Sequence, residues 1–256
     1  MNKIQNTARI ISNEKVCPKF YHLCLEARPL AKAVRPGQFF HIRTSDALVP
    51  FFRRPFSVFR AKTTIEILYE VVGKGTKNIS LKKKGDLLDV MGPLGNSFSL
   101  PPQGTKQVVM IAGGVGIAPF LILSDLLARK IYKPILLYGA RSKGHVFRLN
   151  EFTKNGCRIY ISTNDGSVGQ KGYVSTLFPH IDLNEKKTMV YACGPRPMLA
   201  TVQTFARLHR LPCEASCEEV MACGLGACLG CSIQTTQGYK TVCHDGPVFN
   251  IHELKF

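Results

Sequence analysis

Four cysteines near the C-terminus have a spacing that fits iron-sulfur chemistry. They form a C-x4-C-x2-C pattern followed by one more cysteine twelve positions on: Cys223, Cys228, Cys231 and Cys243. This is the ligand spacing of a plant-type [2Fe-2S] cluster. Glycines at positions 224, 226 and 230 lie between the cysteines, and a backbone wrapped around a cluster needs their conformational freedom. The pattern therefore predicts a metal centre whose sulfurs accept backbone amide hydrogen bonds.

The segment after Cys231 predicts a β-hairpin that carries Cys243 back to the other thiols. Residues Ser232 to Thr235 and Tyr239 to Val242 are β-prone runs around Thr-Gln-Gly, which predicts a three-residue turn. The last residue of the first strand then faces the first residue of the second, and Cys231 faces Cys243. A structural zinc site is the alternative for four thiolates, although zinc ribbons more often have two C-x2-C pairs and this sequence has one.

Composition indicates a globular protein in a reducing compartment. The chain has 256 residues, 45% of them hydrophobic, which is enough for two or three domains with proper cores. The N-terminus lacks the apolar stretch of a signal peptide, and ten cysteines without such a signal favour a cytoplasmic protein. The longest apolar run, Val108 to Leu123, is short and broken by glycines, so we expect no membrane span.

The formal net charge of +17 raises the possibility of nucleic-acid binding. Lysines and arginines are nevertheless scattered, the only run is at 82–84, and no aromatic-interleaved basic motif is present. We therefore expect no nucleic-acid partner. A zinc-stabilised module that binds nucleic acid is kept as an alternative function, of a different class from an iron-sulfur protein. Anionic dinucleotides and an acidic protein partner would use the same positive field.

The first ~100 residues predict a small antiparallel barrel, since short β-prone runs alternate with turn signals. The expected strands are Ala8 to Ser12, Phe20 to Leu25, Phe39 to Ile42, Phe56 to Arg60, Thr64 to Val72 and Leu87 to Met91. One helix is expected at Thr76 to Lys83. At a strand start, the sequence Arg54-Pro55-Phe56-Ser57 offers a charge, a ring and a hydroxyl to an anionic, flat ligand. Downstream, Gly75 and Thr76 open the helix, where amides can bind phosphate.

After a linker at Pro101-Pro102, the pattern changes to alternating strands and helices, which predicts a parallel α/β sheet. The strands are Gln107 to Ala112, Ile135 to Tyr138, Arg158 to Ser162 and Thr188 to Ala192, and the helices are Phe120 to Lys130 and Pro197 to His209. Two strand ends carry candidate ligand loops. One is the glycine turn with Gly113, Gly114 and Gly116, and the other is Cys193-Gly194-Pro195. The first departs from the dinucleotide-binding fingerprint, because its third glycine is missing.

In this order, the Arg54-Pro-Phe-Ser57, Gly113-to-Pro119 and Cys193-to-Met198 motifs resemble the ferredoxin-NADP reductase superfamily. With the cluster motif appended, the chain resembles the electron-transfer subunits of class B dihydroorotate dehydrogenase. The resemblance covers nearly the whole chain. It implies an FAD-binding barrel at 1–100, an NAD-binding α/β domain at 101–212 and a small [2Fe-2S] domain at 213–256. The FAD ligands implied are Arg54, Pro55, Phe56, Ser57, Leu68, Tyr69, Glu70, Gly75 and Thr76, whereas Gly113, Gly114, Gly116, Cys193, Gly194 and Pro195 would hold NAD.

The resemblance also implies a partner, an FMN-containing dihydroorotate dehydrogenase catalytic subunit, in a heterotetramer with two copies of each chain. Electrons would pass from that subunit through the cluster and FAD to NAD⁺ in pyrimidine synthesis. Such a chain positions and tunes its cofactors, so no general base is assigned. Met221, Leu225 and Leu229 alternate with the cluster ligands and are candidates for contacting the partner or shielding the cluster. Related subunits of sulfhydrogenases or ferredoxin-NADP reductases are the alternative. The choice between NAD and NADP is left open.

Overall fold

The N-terminal part of the chain is a closed antiparallel barrel with strand order β1-β2-β5-β4-β3-β6. The computed structural model describes residues 5–45, 47–183 and 187–256, so the first residues used for the signal-peptide prediction lie outside it. The strands of the barrel are Gln5–Cys17 (β1), Phe20–Glu26 (β2), Phe39–Ile42 (β3), Arg54–Ala61 (β4), Thr64–Glu70 (β5) and Leu87–Leu94 (β6). The predicted barrel is confirmed, and each expected strand overlaps an observed one.

Alternation of side chains explains why these segments close into a barrel. Along β5, Ile65 and Ile67 point inward and are fully buried, while Thr64 and Glu66 between and beside them are only partly covered. Phe40 and Ile42 on β3 fill the same interior. A barrel leaves no free sheet edge, and its mouth supplies a surface on which a ligand can lie.

A seven-stranded sheet with order β10-β9-β8-β7-β11-β12-β15 follows the barrel. Its strands are Gln107–Gly113 (β7), Ile135–Ala140 (β8), Arg158–Thr163 (β9), Gln170–Lys171 (β10), Thr188–Cys193 (β11), Cys213–Ser216 (β12) and Val248–Asn250 (β15). All pairs are parallel except β12 with β15. The predicted parallel sheet is confirmed. Three short strands, β10, β12 and β15, were not expected from the sequence.

Helices pack against the sheet and the barrel. They are Arg28–Ala31 (α1), Lys74–Ser80 (α2), Phe120–Arg129 (α3), Leu149–Lys154 (α4) and Arg196–Leu208 (α5), with 3-10 turns at Gly114–Ile117, Lys143–His145, Val174–His180 and Ile251–Glu253. The buried face of α3 includes Phe120, Leu123 and Leu127, which pack on one side of the sheet. Leu199 and Val202 of α5 pack on the other. In the described part of the chain, every helix is too short or too polar to cross a bilayer.

The cluster cysteines lie in an excursion of the chain between β12 and β15. The excursion contains a hairpin of Ser232–Thr235 (β13) and Gly238–Thr241 (β14). The predicted register is wrong by one residue, because Thr235 pairs with Gly238 and the turn has two residues. The Thr235 hydroxyl stabilises this tight turn, since it donates to the Gly238 carbonyl at 2.8 Å and accepts from the Gln237 amide at 3.1 Å. Cys231 consequently lies opposite Val242, whose amide donates to its carbonyl at 3.0 Å.

Asn96, just after the last barrel strand, fastens the barrel to the end of this excursion. Its Nδ2 donates to the carbonyls of Asp245 at 3.0 Å and Val248 at 2.8 Å. The amide of Val248 donates back to Asn96 Oδ1 at 2.9 Å. We call this set of bonds the Asn96 clamp. The domain boundaries at 100/101 and 212/213 stay predictions, and β12 and β15, beyond the second boundary, are hydrogen-bonded into the sheet.

Candidate functional site

The four predicted cluster cysteines come together in two pairs. The thiols of Cys223 and Cys228 contact each other, and those of Cys231 and Cys243 do the same. Cys231 and Cys243 are buried, whereas Cys228 is exposed. A [2Fe-2S] cluster has four thiolate ligands, two on each iron. Two pairs of neighbouring thiols suit this arrangement. Among the described residues, no three His, Cys, Asp or Glu side chains are grouped around one point that would hold a single metal ion.

Backbone amides point at the sulfurs, as the sequence predicts. The N–H groups within 3.5 Å of a cysteine sulfur belong to Leu225 and Cys228 (both to Cys223), Gly226 (to Cys243), Gly230 (to Cys228) and Cys243 (to Cys231). Gly224 and Gly226 adopt the positive φ angles that turn these amides inward. Amide donors stabilise thiolate, the form that binds iron. This cradle fits an iron-sulfur cluster.

The amides also change thiol acidity. Burial raises the pKa of the Cys223 thiol, but the amides of Leu225 and Cys228 outweigh burial and bring that pKa down to about 6. Burial and the neighbouring Cys231 raise the pKa of Cys243 to about 12. Metal binding must therefore displace a proton from Cys243, while Cys223 is ready to bind near neutral pH.

His41 on β3 lies between the barrel and the cluster loop. A side chain at Gly224 would come within 2.5 Å of the His41 Nδ1, so the loop can approach the ring only because this residue is glycine. His41 is fully buried, and within the described chain neither ring nitrogen makes a hydrogen bond of good geometry. Burial lowers its pKa to about 4, which keeps the ring neutral at physiological pH. Sequence reasoning missed this residue, because a lone histidine in a strand carries no recognisable pattern.

A cleft of about 680 Å³ separates the barrel from the segment that leads into the cluster. Its barrel side carries eight of the nine predicted flavin residues: Arg54, Pro55, Phe56, Ser57, Leu68, Tyr69, Glu70 and Thr76. Gly75 lies beneath them, and a side chain there would meet Arg54 Cγ and Nε at 3.2 Å. The opposite side is formed by residues 216–221 and Pro247, which the sequence did not indicate as ligand-binding.

We call this cleft the flavin cleft, after the residues predicted to hold flavin, and one detail of it differs from the sequence-based prediction. Helix α2 begins at Lys74, and the Thr76 hydroxyl accepts hydrogen bonds from the amides of Val72 at 3.0 Å and Gly73 at 3.2 Å. Those two amides are therefore satisfied within the protein and are not available to a phosphate. The guanidinium of Arg54 donates to the Phe52 carbonyl at 2.7 Å and the Arg53 carbonyl at 3.1 Å, which fixes its position at the cleft wall.

A second cleft of about 410 Å³ lies at the carboxyl ends of the parallel strands, where α/β sheets bind ligands. We call it the nicotinamide cleft, after the residues predicted to hold NAD. Its wall includes five of the six predicted nicotinamide residues: Gly113, Gly114, Gly116, Gly194 and Pro195. The sixth, Cys193, is buried and does not border the cleft. A side chain at Gly116 would come within 2.6 Å of the Cys193 carbonyl carbon. Gly116 therefore allows the two loops to pack against each other.

The two clefts meet at Glu70, Val115 and Glu218, which border both. Glu218 also borders a smaller cavity near the C-terminus. Water reaches the Glu218 side chain, yet protein surrounds the junction closely enough that burial raises the pKa of its carboxyl. The side chain lies where three concave surfaces join, so protein encloses it on several sides while water still reaches it. The sequence contained Glu218 within the cluster motif, but only the tertiary structure places it between the clefts.

Met221 and two leucines of the cluster loop differ in exposure. Met221 is buried in the core that the loop shares with the sheet, a position that suits the shielding role. Leu225 and Leu229 are exposed to solvent. Both therefore belong to the outer surface around the cysteines.

Solved structures support the fold. The chain superposes with a TM-score of 0.86 on a structure of NADH-dependent reduced ferredoxin-NADP oxidoreductase, at 28% identity over 97% of this chain and 89% of that one. A ferredoxin NADP⁺ reductase from Neisseria gonorrhoeae, solved with FAD and NADP, gives a TM-score of 0.68 at 20% identity, over 80% of this chain and 92% of that one. The second likeness concerns the fold alone.

Sequence comparisons are more specific. Residues 218–255 match the iron-sulfur cluster binding domain of dihydroorotate dehydrogenase B, and residues 110–204 match the oxidoreductase NAD-binding domain. A dihydroorotate dehydrogenase B (NAD(+)) electron transfer subunit from Desulforamulus reducens is 38% identical, over 94% of this chain and 95% of that protein. The subunit from Caldanaerobacter subterraneus is also 38% identical, over 97% and 98%. The chain belongs to the family of electron transfer subunits of dihydroorotate dehydrogenase B.

Proposed function

We propose that this chain passes electrons from a dihydroorotate-oxidising catalytic subunit to NAD⁺, using a [2Fe-2S] cluster and FAD, in pyrimidine synthesis. One observation carries the proposal. The flavin cleft is bordered on one side by the nicotinamide cleft, through Glu70, Val115 and Glu218, and on another by residues 216–221 that lead into the cysteine loop. The three sites therefore follow one another in the order that such a relay requires.

The residues of the chain bind, orient and shield the cofactors. FAD exchanges electron pairs with a nicotinamide and single electrons with an iron-sulfur cluster, and so connects the two. Arg54 supplies a charge for the pyrophosphate, while Phe56 and Tyr69 supply apolar contacts at the barrel mouth. The paired cysteines would bind the cluster, and Met221 would keep water from it. No proton acceptor is assigned, because hydride transfer to NAD⁺ requires only that the flavin and nicotinamide rings lie close together and aligned.

The partner and the compartment follow from the same assignment. We propose that the catalytic subunit contains FMN and that two copies of each chain form the complex. The positive charge of +17 suits NAD⁺ and an acidic partner surface, with no nucleic acid involved. The ten cysteines, four of them proposed cluster ligands, form no disulfide in the described chain, which supports a reducing compartment and thus the cytoplasm.

Replacement of Arg54 by alanine should weaken FAD binding about tenfold to a hundredfold, because charge-assisted bonds are worth about 1.5 to 3 kcal/mol. The cluster spectrum should persist, since the cysteines lie outside the barrel. FAD affinity is measured by titrating flavin into the apoprotein and following fluorescence quenching. Arg129→Ala, at an exposed position on α3, is the matched control. Equal FAD affinity of the Arg54 and Arg129 variants would contradict the assignment.

Anaerobic reconstitution tests the function as a whole. The purified chain, loaded with FAD and iron-sulfide, is mixed with a dihydroorotate-oxidising subunit, and NAD⁺ reduction is followed at the absorbance of NADH. We expect dihydroorotate-dependent NADH formation only when both chains are present. Oxidation of NADH by a dye with no coupling to dihydroorotate would leave the flavin site in place and refute the proposed partner.

A second function is favoured by the superposition on the ferredoxin-NADP oxidoreductase, which covers nearly the whole chain. In that case reduced ferredoxin, or the partner subunit of a sulfhydrogenase, would replace dihydroorotate as electron source. Supplying reduced ferredoxin in the same assay separates the two candidates. Metal analysis separates both from a zinc-binding module, because an electron relay requires iron and labile sulfide in equal amounts.

A further inference from the structure

The loop between β3 and β4 exposes an unusual amount of apolar surface. Leu48, Val49, Phe51 and Phe52 are 81%, 70%, 72% and 50% exposed, and we call these four residues the apolar patch. The rings of Phe51 and Phe52 pack edge to face, with centroids 5.5 Å apart. Single exposed hydrophobic residues are common on soluble proteins, but a contiguous group of large ones marks an interaction surface.

The apolar patch adjoins the cluster loop. A cavity of about 300 Å³ is lined by Leu48, Phe51 and Phe52 of the patch and by Ala222 and Cys223 of the cluster loop. The first predicted cluster ligand thus borders the same cavity as the patch. A protein that delivers electrons to the cluster must approach it closely, and a side chain of that protein inserted here would do so.

Two hydrogen-bonded arginines place polar groups at the edge of the apolar cavity. Arg43 and Arg53 line the cavity. Arg53 is held by Asp89, with Nη2 2.6 Å from Oδ2, and Arg43 Nε donates to the Ser45 carbonyl at 3.1 Å. These bonds orient both guanidinium groups at the rim. An apolar centre with a charged rim is the usual anatomy of a protein interface.

We propose that the apolar patch and the cavity beside Cys223 form the docking site for the dihydroorotate-oxidising catalytic subunit, which inserts apolar side chains into the cavity and sets polar groups against its rim. This inference rests on the proposed function. A lipid surface would also take exposed phenylalanines and arginines, but it gives no reason for a shaped cavity that ends at a cluster ligand.

The test uses the full chain with both cofactors and the catalytic subunit, and it measures their dissociation constant by analytical ultracentrifugation. Phe51→Asp should weaken the complex about thirtyfold or more, as expected for a central interface residue. Leu208→Asp, at a residue 74% exposed at the end of α5, is the matched control and should change the constant less than about twofold. Phe52 is left unchanged, because it also borders the flavin cleft. Cluster spectrum and NADH-to-dye activity should be equal in all three proteins.

Each outcome decides the inference. Unchanged affinity of the Phe51→Asp protein, with a wild-type complex that forms normally, would overturn the docking site and leave the proposed function standing. Failure of the wild-type chain to bind the catalytic subunit would refute the proposed function and the docking site together. Wild-type protein that sediments with phosphatidylglycerol vesicles, while the Phe51→Asp protein does not and still binds the catalytic subunit, would make the patch a membrane contact and overturn the inference as well.

Discussion

Replacement of Cys231 by serine should abolish the cluster and the coupled reaction with the catalytic subunit. Cys231 is 2% exposed and contacts the Cys243 thiol, so an alternative ligand has no route to the iron. The loss should exceed the roughly 10- to 100-fold that removal of a supporting outer contact costs at a metal site. Absorbance and iron content report the cluster, and dihydroorotate-dependent NAD⁺ reduction reports the relay. NADH-to-dye activity should survive, because the flavin cleft does not include Cys231.

The matched control for this prediction is Cys213→Ser. Cys213 is 3% exposed on β12 and so is buried like Cys231, but it belongs to neither thiol pair. The same chemical change there should leave iron, spectrum and coupled activity in place, with a small loss of stability from a buried hydroxyl. A Cys231→Ser protein that retains two irons per chain would show that the cluster ligands were assigned wrongly.

Replacement of Gly116 by alanine should destabilise the protein by about 3 kcal/mol or more and impair NADH oxidation. An added methyl group that clashes with backbone has a high free-energy cost, because backbone cannot move aside as a flexible side chain can. The added methyl group would come within 2.6 Å of the Cys193 carbonyl carbon and 2.8 Å of the Gly194 amide nitrogen. Either loop must then move away from the nicotinamide cleft. Urea unfolding measures the stability, and NADH-to-dye kinetics measure the cleft.

Gly114→Ala separates steric clash from backbone strain. Gly114 has a φ of +56°, which costs a residue with a side chain about 1 kcal/mol, but a methyl group there would touch nothing within 4 Å. We therefore expect Gly114→Ala to be clearly more stable than Gly116→Ala. Equal stability of the two variants would mean that the packing of the two loops does not depend on Gly116.

Local patterns in the sequence predicted the parts of this protein that depend on neighbours along the chain. The cysteine spacing and the intervening glycines predicted the cluster loop, because a loop that binds a cluster is defined by residues a few positions apart. The barrel strands were predicted as short β-prone runs between turn signals, and β3 matches its prediction at both ends. The predicted hairpin register was wrong because the turn has two residues instead of three, a geometry in which the Thr235 hydroxyl makes two hydrogen bonds within the turn.

The parts that the sequence could not predict depend on contacts between distant segments. Cys213–Ser216 becomes a strand because β11 lies beside it, and four residues with one charge carry no β signal of their own. Glu218 gains its position between two clefts only when barrel, sheet and cluster loop are assembled. The burial of His41 depends likewise on Gly224, which lies far away in the sequence.

The Asn96 clamp has a kinetic consequence. The rate of electron tunnelling falls steeply as the distance between two cofactors increases. The rate of transfer is therefore constant only when the distances between the cofactors are constant. Three hydrogen bonds from one side chain tie the barrel to the excursion that holds the cysteines. Transfer inside this subunit therefore does not wait for one part of the chain to swing towards another, and the steps that involve diffusion are the arrival and departure of NAD⁺ and of the partner protein.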